Sequence, residues 1–283
     1  MNSYKPIMVL LIALAMFAGC RGDRTESGPK GGISLDNVPA AAWDKLAAKR
    51  VFFGHQSVGY NIMDGVGALL KENPSIRLTI VETTDPSRFD VPVFAHARVG
   101  RNEVPESKCE AFEQYMESGI GSRADIAFFK FCYVDINRET DIGRMFELYN
   151  ATVLRVKTKY PSLTLVHVTV PLTSSDYSLK VRLKALVKRV LGKKDENVGR
   201  SELNERIRKK YGGSDPIFDL AAIESTSPAG EPVTFTYQGK KYPSMYPGYT
   251  TDGGHLNNDG KRVVAVGLLQ TLLRVVEKEK TRP

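Results

Sequence analysis

The sequence predicts an α/β protein built on a parallel sheet, and three observations carry that prediction. Short runs rich in apolar residues alternate along the chain with longer stretches of helical periodicity, the pattern of strands joined by crossover helices. The runs are apolar on both faces, as strands covered by helices above and below must be. With 283 residues, 42% of them hydrophobic and 25% charged, the chain can bury one sizeable core and has the composition of an ordinary globular protein.

The elements follow in order. Lys5 precedes an apolar run from Pro6 to Phe17 and then the small residues Ala18 and Gly19 before Cys20, the layout of a secretory signal peptide. A cysteine after small residues resembles a bacterial lipoprotein signal, in which Cys20 becomes the lipidated N-terminus, although Phe17 stands where leucine is usual. The run is short for a spanning helix. The expectation is a lipoprotein-type signal over residues 1–20, a Gly- and Ser-rich tether over 21–37 and a folded domain over 38–283. An uncleaved anchor, or a signal cut elsewhere, stays open. In either case the domain is expected to work outside the cytoplasm, in the periplasm or cell envelope, and with Cys20 lipidated it is held at a membrane.

Within the domain, strands are expected at Arg50 to Phe53, Arg77 to Glu82, Asp125 to Tyr133, Leu163 to Val170 and Pro216 to Leu220. Ile142 to Val156 carries Ile142, Met145, Phe146, Tyr149, Val153 and Val156 at helical spacing. A last helix is expected from Asp259 to Glu277. Arg88 to Val104 reads as a long irregular connection, and such loops are often functional. Pro232 to Tyr249 reads as a hairpin turning at Gln238 and Gly239, and its Tyr237, Tyr242, Tyr246 and Tyr249 could wall a pocket or simply pack the hairpin.

The net charge of +8 is concentrated, because residues 180–210 hold twelve Lys and Arg against four Asp and Glu and the rest of the chain is neutral overall. On an exported protein such a run suits an anionic lipid or acidic glycan surface rather than nucleic acid, or is a solvated helix face. With Cys20 lipidated, Cys109 and Cys132 remain, either as a disulfide permitted by an oxidising compartment or as two buried thiols.

Two segments carry candidate chemistry. In VFFGHQSVGYNI a strand gives way to a helix at Ser57, where free backbone N–H groups favour a developing anion; a plain N-cap role for Ser57 is the alternative. In TTDGGHLNNDGKR, Asp252 and His255 sit three residues apart in a Gly-rich loop before the last helix. A serine nucleophile needs a base to take its proton, and the base needs a carboxylate to hold its tautomer. Ser57, His255 and Asp252 supply those parts. His55, His255 and Asp252 would also suit zinc, but no tight histidine pair accompanies them.

GHQS after the first strand, the block around ARVGRN, KFCYVDIN and the terminal DGGHLN together resemble the ordered blocks of the SGNH hydrolases, the GDSL-type esterases, across residues 50–260. The resemblance implies a three-layer α/β/α sandwich on a five-stranded parallel, flavodoxin-like sheet, ester hydrolysis with no metal or other cofactor, and Ser57, His255 and Asp252 as nucleophile, base and partner of the base. It implies Gly100 as an oxyanion donor beside the Ser57 N–H. Two departures stand out. Gly-His-Gln-Ser replaces Gly-Asp-Ser, and Cys132, Tyr133, Val134 and Asp135 stand where Gly-x-Asn-Asp is expected. Asn102 or Asn137 could replace the missing asparagine, and Asp135 could be structural. The function expected is hydrolysis of a carboxylic ester, such as an O-acetyl group on an envelope glycan or an acyl lipid. Acyl transfer to a polysaccharide with the same triad, and a non-catalytic glycan-binding lipoprotein, are the alternatives.

Overall fold

The computed structural model describes residues 35–174 and 195–278, with Asp176, Leu183 and Val187 between them. The signal peptide, Cys20, most of the tether and most of the basic run before residue 195 therefore lie outside the described residues.

Helix α1 (Ala40–Ala47) leads into strand β1 (Arg50–His55), helix α2 (Ser57–Glu72) and the short strand β2 (Ile80–Glu82). Then come β3 (Val93–Arg98), α3 (Pro105–Tyr115), β4 (Ile126–Phe129), α4 (Ile142–Lys159) and the two short strands β5 (Thr164–Leu165) and β6 (His167–Val168). The chain finishes with α5 (Glu196–Tyr211), β7 (Ile217–Phe218), α6 (Leu220–Glu224), the hairpin β8 (Thr234–Tyr237) and β9 (Lys240–Pro243), and α7 (Asn258–Lys278).

Five strands form a parallel sheet in the order β2-β3-β1-β4-β5, and β6 pairs in parallel with β7. The path Thr164 to Val168 thus leans on β4 with its first half and on β7 with its second. Setting aside the edge strand β2, the chain-order strands lie 2-1-3-4-5, the flavodoxin-like order.

Strand alternation divides the core in two. Val51 and Phe53 of β1, Phe94 of β3, and Ile126 and Phe128 of β4 face a cluster built with α1, α2 and α7. Phe52, Ala95, Ala97, Ala127 and Phe129 face the opposite cluster, built with α3, α4 and α5. This is the three-layer α/β/α sandwich expected from the sequence.

The expected irregular connection over 88–104 is corrected: Val93–Arg98 is strand β3, inserted between β1 and β2 and buried along five of its six residues. Its composition hides it, because Ala95, His96 and Ala97 have little strand preference. A polar His96 is tolerated inside the sheet because His55, on the neighbouring strand, gives its ring a hydrogen-bond partner at 3.0 Å. Of the other expected strands, β1 runs two residues further than expected, to His55, and the rest are present but shorter, with β2 beginning at Ile80 rather than Arg77. The hairpin turns through Gln238 (φ 47) and Gly239 (φ 76), both left-handed as a two-residue type I′ turn requires.

Candidate active site

β1, β3 and β4 all end on one rim of the sheet, and α2 and α3 lie on opposite faces, so the crevice beyond β1 and β3 is the point where the winding reverses. Open parallel sheets bind ligands there. Ser57 stands at this point. The N-cap position is taken by Gln56, in an extended conformation, and Ser57 is the first helical residue, so it does not cap its own helix. Its N–H lies in the first turn, where no intrahelical acceptor exists.

Asp252 and His255 are joined in the loop before α7. Asp252 Oδ2 lies 2.7 Å from His255 Nδ1, while Oδ1 accepts the N–H groups of Gly254 at 2.9 Å and His255 at 2.8 Å. An ionised carboxylate only accepts, so Nδ1 carries the proton and Nε2 of the neutral ring is left as the basic nitrogen. Burial alone would raise the Asp252 pKa, but the bonds from Gly254 and His255 outweigh it and hold it at about 2. The Tyr133 ring meets the imidazole edge-on at 5.9 Å. Gly254 allows that approach, since a Cβ there would lie 2.6 Å from Tyr133 Cζ.

The two halves are tied together one helical turn from Ser57. Asn61 Oδ1 accepts the Leu256 N–H at 3.1 Å, and Lys261 of α7 pairs with Asp64 of α2 at 2.9 Å. No hydrogen bond joins the Ser57 hydroxyl to the His255 ring among the described residues; such bonds commonly close only when substrate is bound.

Gly100 follows β3 with φ 57, and a Cβ there would lie 2.5 Å from Lys108 N, so only glycine fits against the first turn of α3. The two asparagines weighed for the third block each use the amide oxygen as an acceptor, which leaves the donor NH2 group uncommitted among these bonds. Asn102 Oδ1 accepts from Lys108 Nζ at 3.1 Å. Asn137 is exposed, and its Oδ1 accepts the Glu139 N–H and the Thr140 hydroxyl in a surface turn. Asp135 is 4% exposed and structural: it pairs with the fully buried Lys108 and accepts the N–H groups of Cys132 at 2.6 Å and Glu103 at 2.9 Å.

The remaining candidates are placed as follows. His55 is buried and directed away from any metal site with Asp252 and His255: its ring nitrogens face Gln56 O and His96 Nδ1, each at 3.0 Å. Among the described residues no group of three His, Cys, Asp or Glu side chains could hold a metal ion. Cys109 and Cys132 are both free and buried, with burial pushing the Cys109 thiol up to about 12. In the described part of the basic run, Arg200 is no surface charge; it is 1% exposed, bonded to Tyr133 O, Thr173, Asn197 and Glu196. Tyr249 packs in the core beside α7, and Tyr246 stacks edge-on against it at 5.0 Å. Sequence reasoning passed over Gln56, Asn61 and Tyr133, whose partners are backbone groups or rings far along the chain.

No protein-family profile and no curated protein matches the sequence. Among solved structures, the chain is similar to an acetyl xylan esterase at 16% identity and a TM-score of 0.45, over 78% of this chain and 98% of that one. It is similar to a lipase/acylhydrolase from Enterococcus faecalis at 10% identity and a TM-score of 0.45, over 80% and 96% of the two chains. A protein from Parabacteroides merdae assigned as a GDSL-like lipase matches at 11% identity and a TM-score of 0.48, over 80% and 98%. Many of the structural neighbours of this chain are hydrolases of the GDSL and SGNH type or acetyl xylan esterases.

Proposed function

We propose that the protein is a serine esterase in which Ser57 is the nucleophile, His255 the general base and Asp252 the group that fixes the base. The observation that carries the reading is the Asp252–His255 pair, with Nε2 free of hydrogen bonds among the described residues, in a loop bonded through Leu256 to Asn61 of the Ser57 helix. Ser57 Oγ attacks the ester carbonyl as His255 Nε2 takes its proton. The negative oxygen is held by the N–H groups of Ser57 and Gly100. The intermediate collapses by breaking the bond to the alkoxy group, which leaves as alcohol with the proton from His255. Water, activated by the same imidazole, then attacks the acyl-serine and releases the carboxylic acid and the original hydroxyl.

The donors proposed for the hole are the backbone N–H groups of Ser57 and Gly100; the bonds at Asn102 and Asn137 engage Oδ1 and leave the role of their NH2 groups open. Loss of one oxyanion donor costs about a hundredfold to a thousandfold in rate, so a hole with these two alone fits a slow or narrowly selective esterase. The substrate class proposed is an ester of the envelope, an O-acetylated glycan or an acyl lipid. It rests on the export signal and on Cys20 as a lipid anchor, and Cys20→Ser is expected to release the protein from membranes. The deciding experiment is labelling by a fluorophosphonate probe, which reports an activated serine. Labelling of the wild type and its loss in Ser57→Ala are expected. A wild type that stays unlabelled points instead to a non-catalytic envelope protein, and acyl transfer to added acceptor glycan identifies a transferase.

A further inference from the structure

Gln56, the residue before the proposed nucleophile, turns its amide nitrogen to the loop that carries Gly100. Its amide nitrogen lies 3.0 Å from Val99 O and 2.6 Å from Gly100 O. Both oxygens can only accept, so the group facing them is the NH2, and its two hydrogens serve the two carbonyls. In a trans peptide the C=O and the following N–H point in opposite directions in one plane. Holding Val99 C=O therefore sets the direction of the Gly100 N–H, and holding Gly100 C=O sets that of the Arg101 N–H, which is fixed from its other side by Ser107 Oγ at 2.8 Å.

The main chain of Gln56 is braced as well. Its carbonyl accepts from Gly59 N–H at 2.7 Å and from His55 Nδ1 at 3.0 Å. His55 Nδ1 must then be protonated and Nε2 an acceptor, which makes His96 Nδ1 the donor across the 3.0 Å contact between the rings. Burial keeps His55 neutral, with its pKa brought down to about 3. A single chain of bonds thus runs from His96 in β3 through His55 and Gln56 back to Val99 and Gly100 at the end of β3.

We propose that Gln56 is a positioning residue for ester hydrolysis: its amide fixes the peptide planes on either side of Gly100, and so aims the Gly100 N–H relative to the Ser57 hydroxyl. The proposal rests on the esterase reading above. Ser57 cannot do this itself, because its side chain belongs to the reaction, and the usual short aspartate before the serine has been replaced here by a longer donor.

The test compares wild type, Q56M and Q56E in full-length protein on 4-nitrophenyl acetate, with hydrogen exchange followed in the peptide spanning residues 97–104. Q56M keeps the volume and removes both donors. Its kcat is expected to fall about tenfold to a hundredfold with KM within about twofold, the scale of an impaired oxyanion donor, and exchange in the 97–104 peptide is expected to quicken. Q56E presents a carboxylate to two carbonyls at neutral pH but regains one donor when protonated. The ratio of Q56E to wild-type kcat is therefore expected to rise as the pH is lowered from 8 to 5. An active wild type with Q56M kinetics and exchange unchanged overturns the positioning role alone, as does a pH-independent Q56E ratio. A wild type inert to both the ester and the fluorophosphonate overturns the esterase reading and the positioning role with it.

Discussion

The carboxamide oxygen of Asn61 accepts the backbone N–H of Leu256 at 3.1 Å, across 195 positions of sequence. It is the bond that brings the imidazole loop to the serine helix, since Asn61 lies one turn beyond Ser57 and Leu256 is next to His255. Asn61→Ala removes the acceptor, leaves a half-buried N–H unpaired and frees the loop to drift. Misplacement of a catalytic group by about 1 Å costs up to a hundredfold, so kcat is expected to fall about tenfold with KM little changed. Asn61→Asp keeps an acceptor and is expected to stay within about threefold of wild type. Steady-state kinetics on a chromogenic ester check both, and equal losses in the two variants would show that the bond is irrelevant.

Asp252 gives a second prediction. Replacing its carboxylate by an amide in Asp252→Asn lets the ring adopt the other tautomer, which places a proton on the nitrogen that should take one from Ser57. A fall in kcat of about a hundredfold to ten-thousandfold is expected, and fluorophosphonate labelling should slow in parallel. The same carboxylate affects stability. Its folded pKa of about 2 lies below the ordinary 3.8, so its contribution is present above 3.8 and is lost as the pH falls towards 2. Thermal melts over that interval should decline more steeply for wild type than for Asp252→Asn.

Much of this arrangement is legible in the sequence wherever the chemistry is local. The strand-to-helix junction at Ser57 and the Asp-x-x-His spacing each place donor and acceptor within a few residues, so their geometry follows from the chain itself. β3 is not legible in that way, because His96 reads as polar until His55 is known to face it from the next strand. Asn137 turns its amide oxygen to its own surface turn, accepting from Glu139 and Thr140, a local contact the sequence does not announce. Gln56 and Asn61 bind backbone groups of distant segments, and no local pattern marks a side chain whose partner is a carbonyl or N–H dozens of residues away. Arg200 shows the same limit for charge: counted in a basic run, it lies inside the protein beneath Tyr133.

Lys108 and Asp135 form an ion pair with both side chains wholly buried, and Asp135 also holds the backbone of Cys132 and Glu103. Breaking one partner of such a pair leaves an uncompensated charge in the core, at a cost of about 3–5 kcal/mol. Asp135→Asn and Lys108→Met are each expected to lose stability on that scale in denaturant unfolding. The double variant should lose clearly less than the two single losses combined, because no lone charge remains. Strict additivity would argue against a coupled pair.

Cys109 and Cys132 are free and buried. A thiol reagent such as Ellman's is expected to leave both untouched in the native protein and to react with both on unfolding, and reductant should not change the melting temperature. Reductant-sensitive melting would indicate that they pair.

Glu224 is fully buried, with Oε2 accepting the Leu172 N–H at 2.6 Å and Oε1 without a partner among the described residues. Burial disfavours the ionised form and raises its pKa to about 8, against the lowering bond from Leu172 and the nearby charges of Lys130 and Arg200. The unfolded chain releases this proton near the ordinary 4.5 and the folded chain only near 8, so between those values the folded state holds more protons. Stability from this group is therefore greatest below 4.5 and declines as the pH rises through about 8. Glu224→Gln keeps an acceptor for Leu172 and has no proton to lose. Its melting temperature is expected to decline less than that of wild type between pH 5 and 8, and its advantage should be greatest at the alkaline end. Parallel curves for the two proteins would mean that Glu224 ionises in the folded state as readily as in the unfolded one.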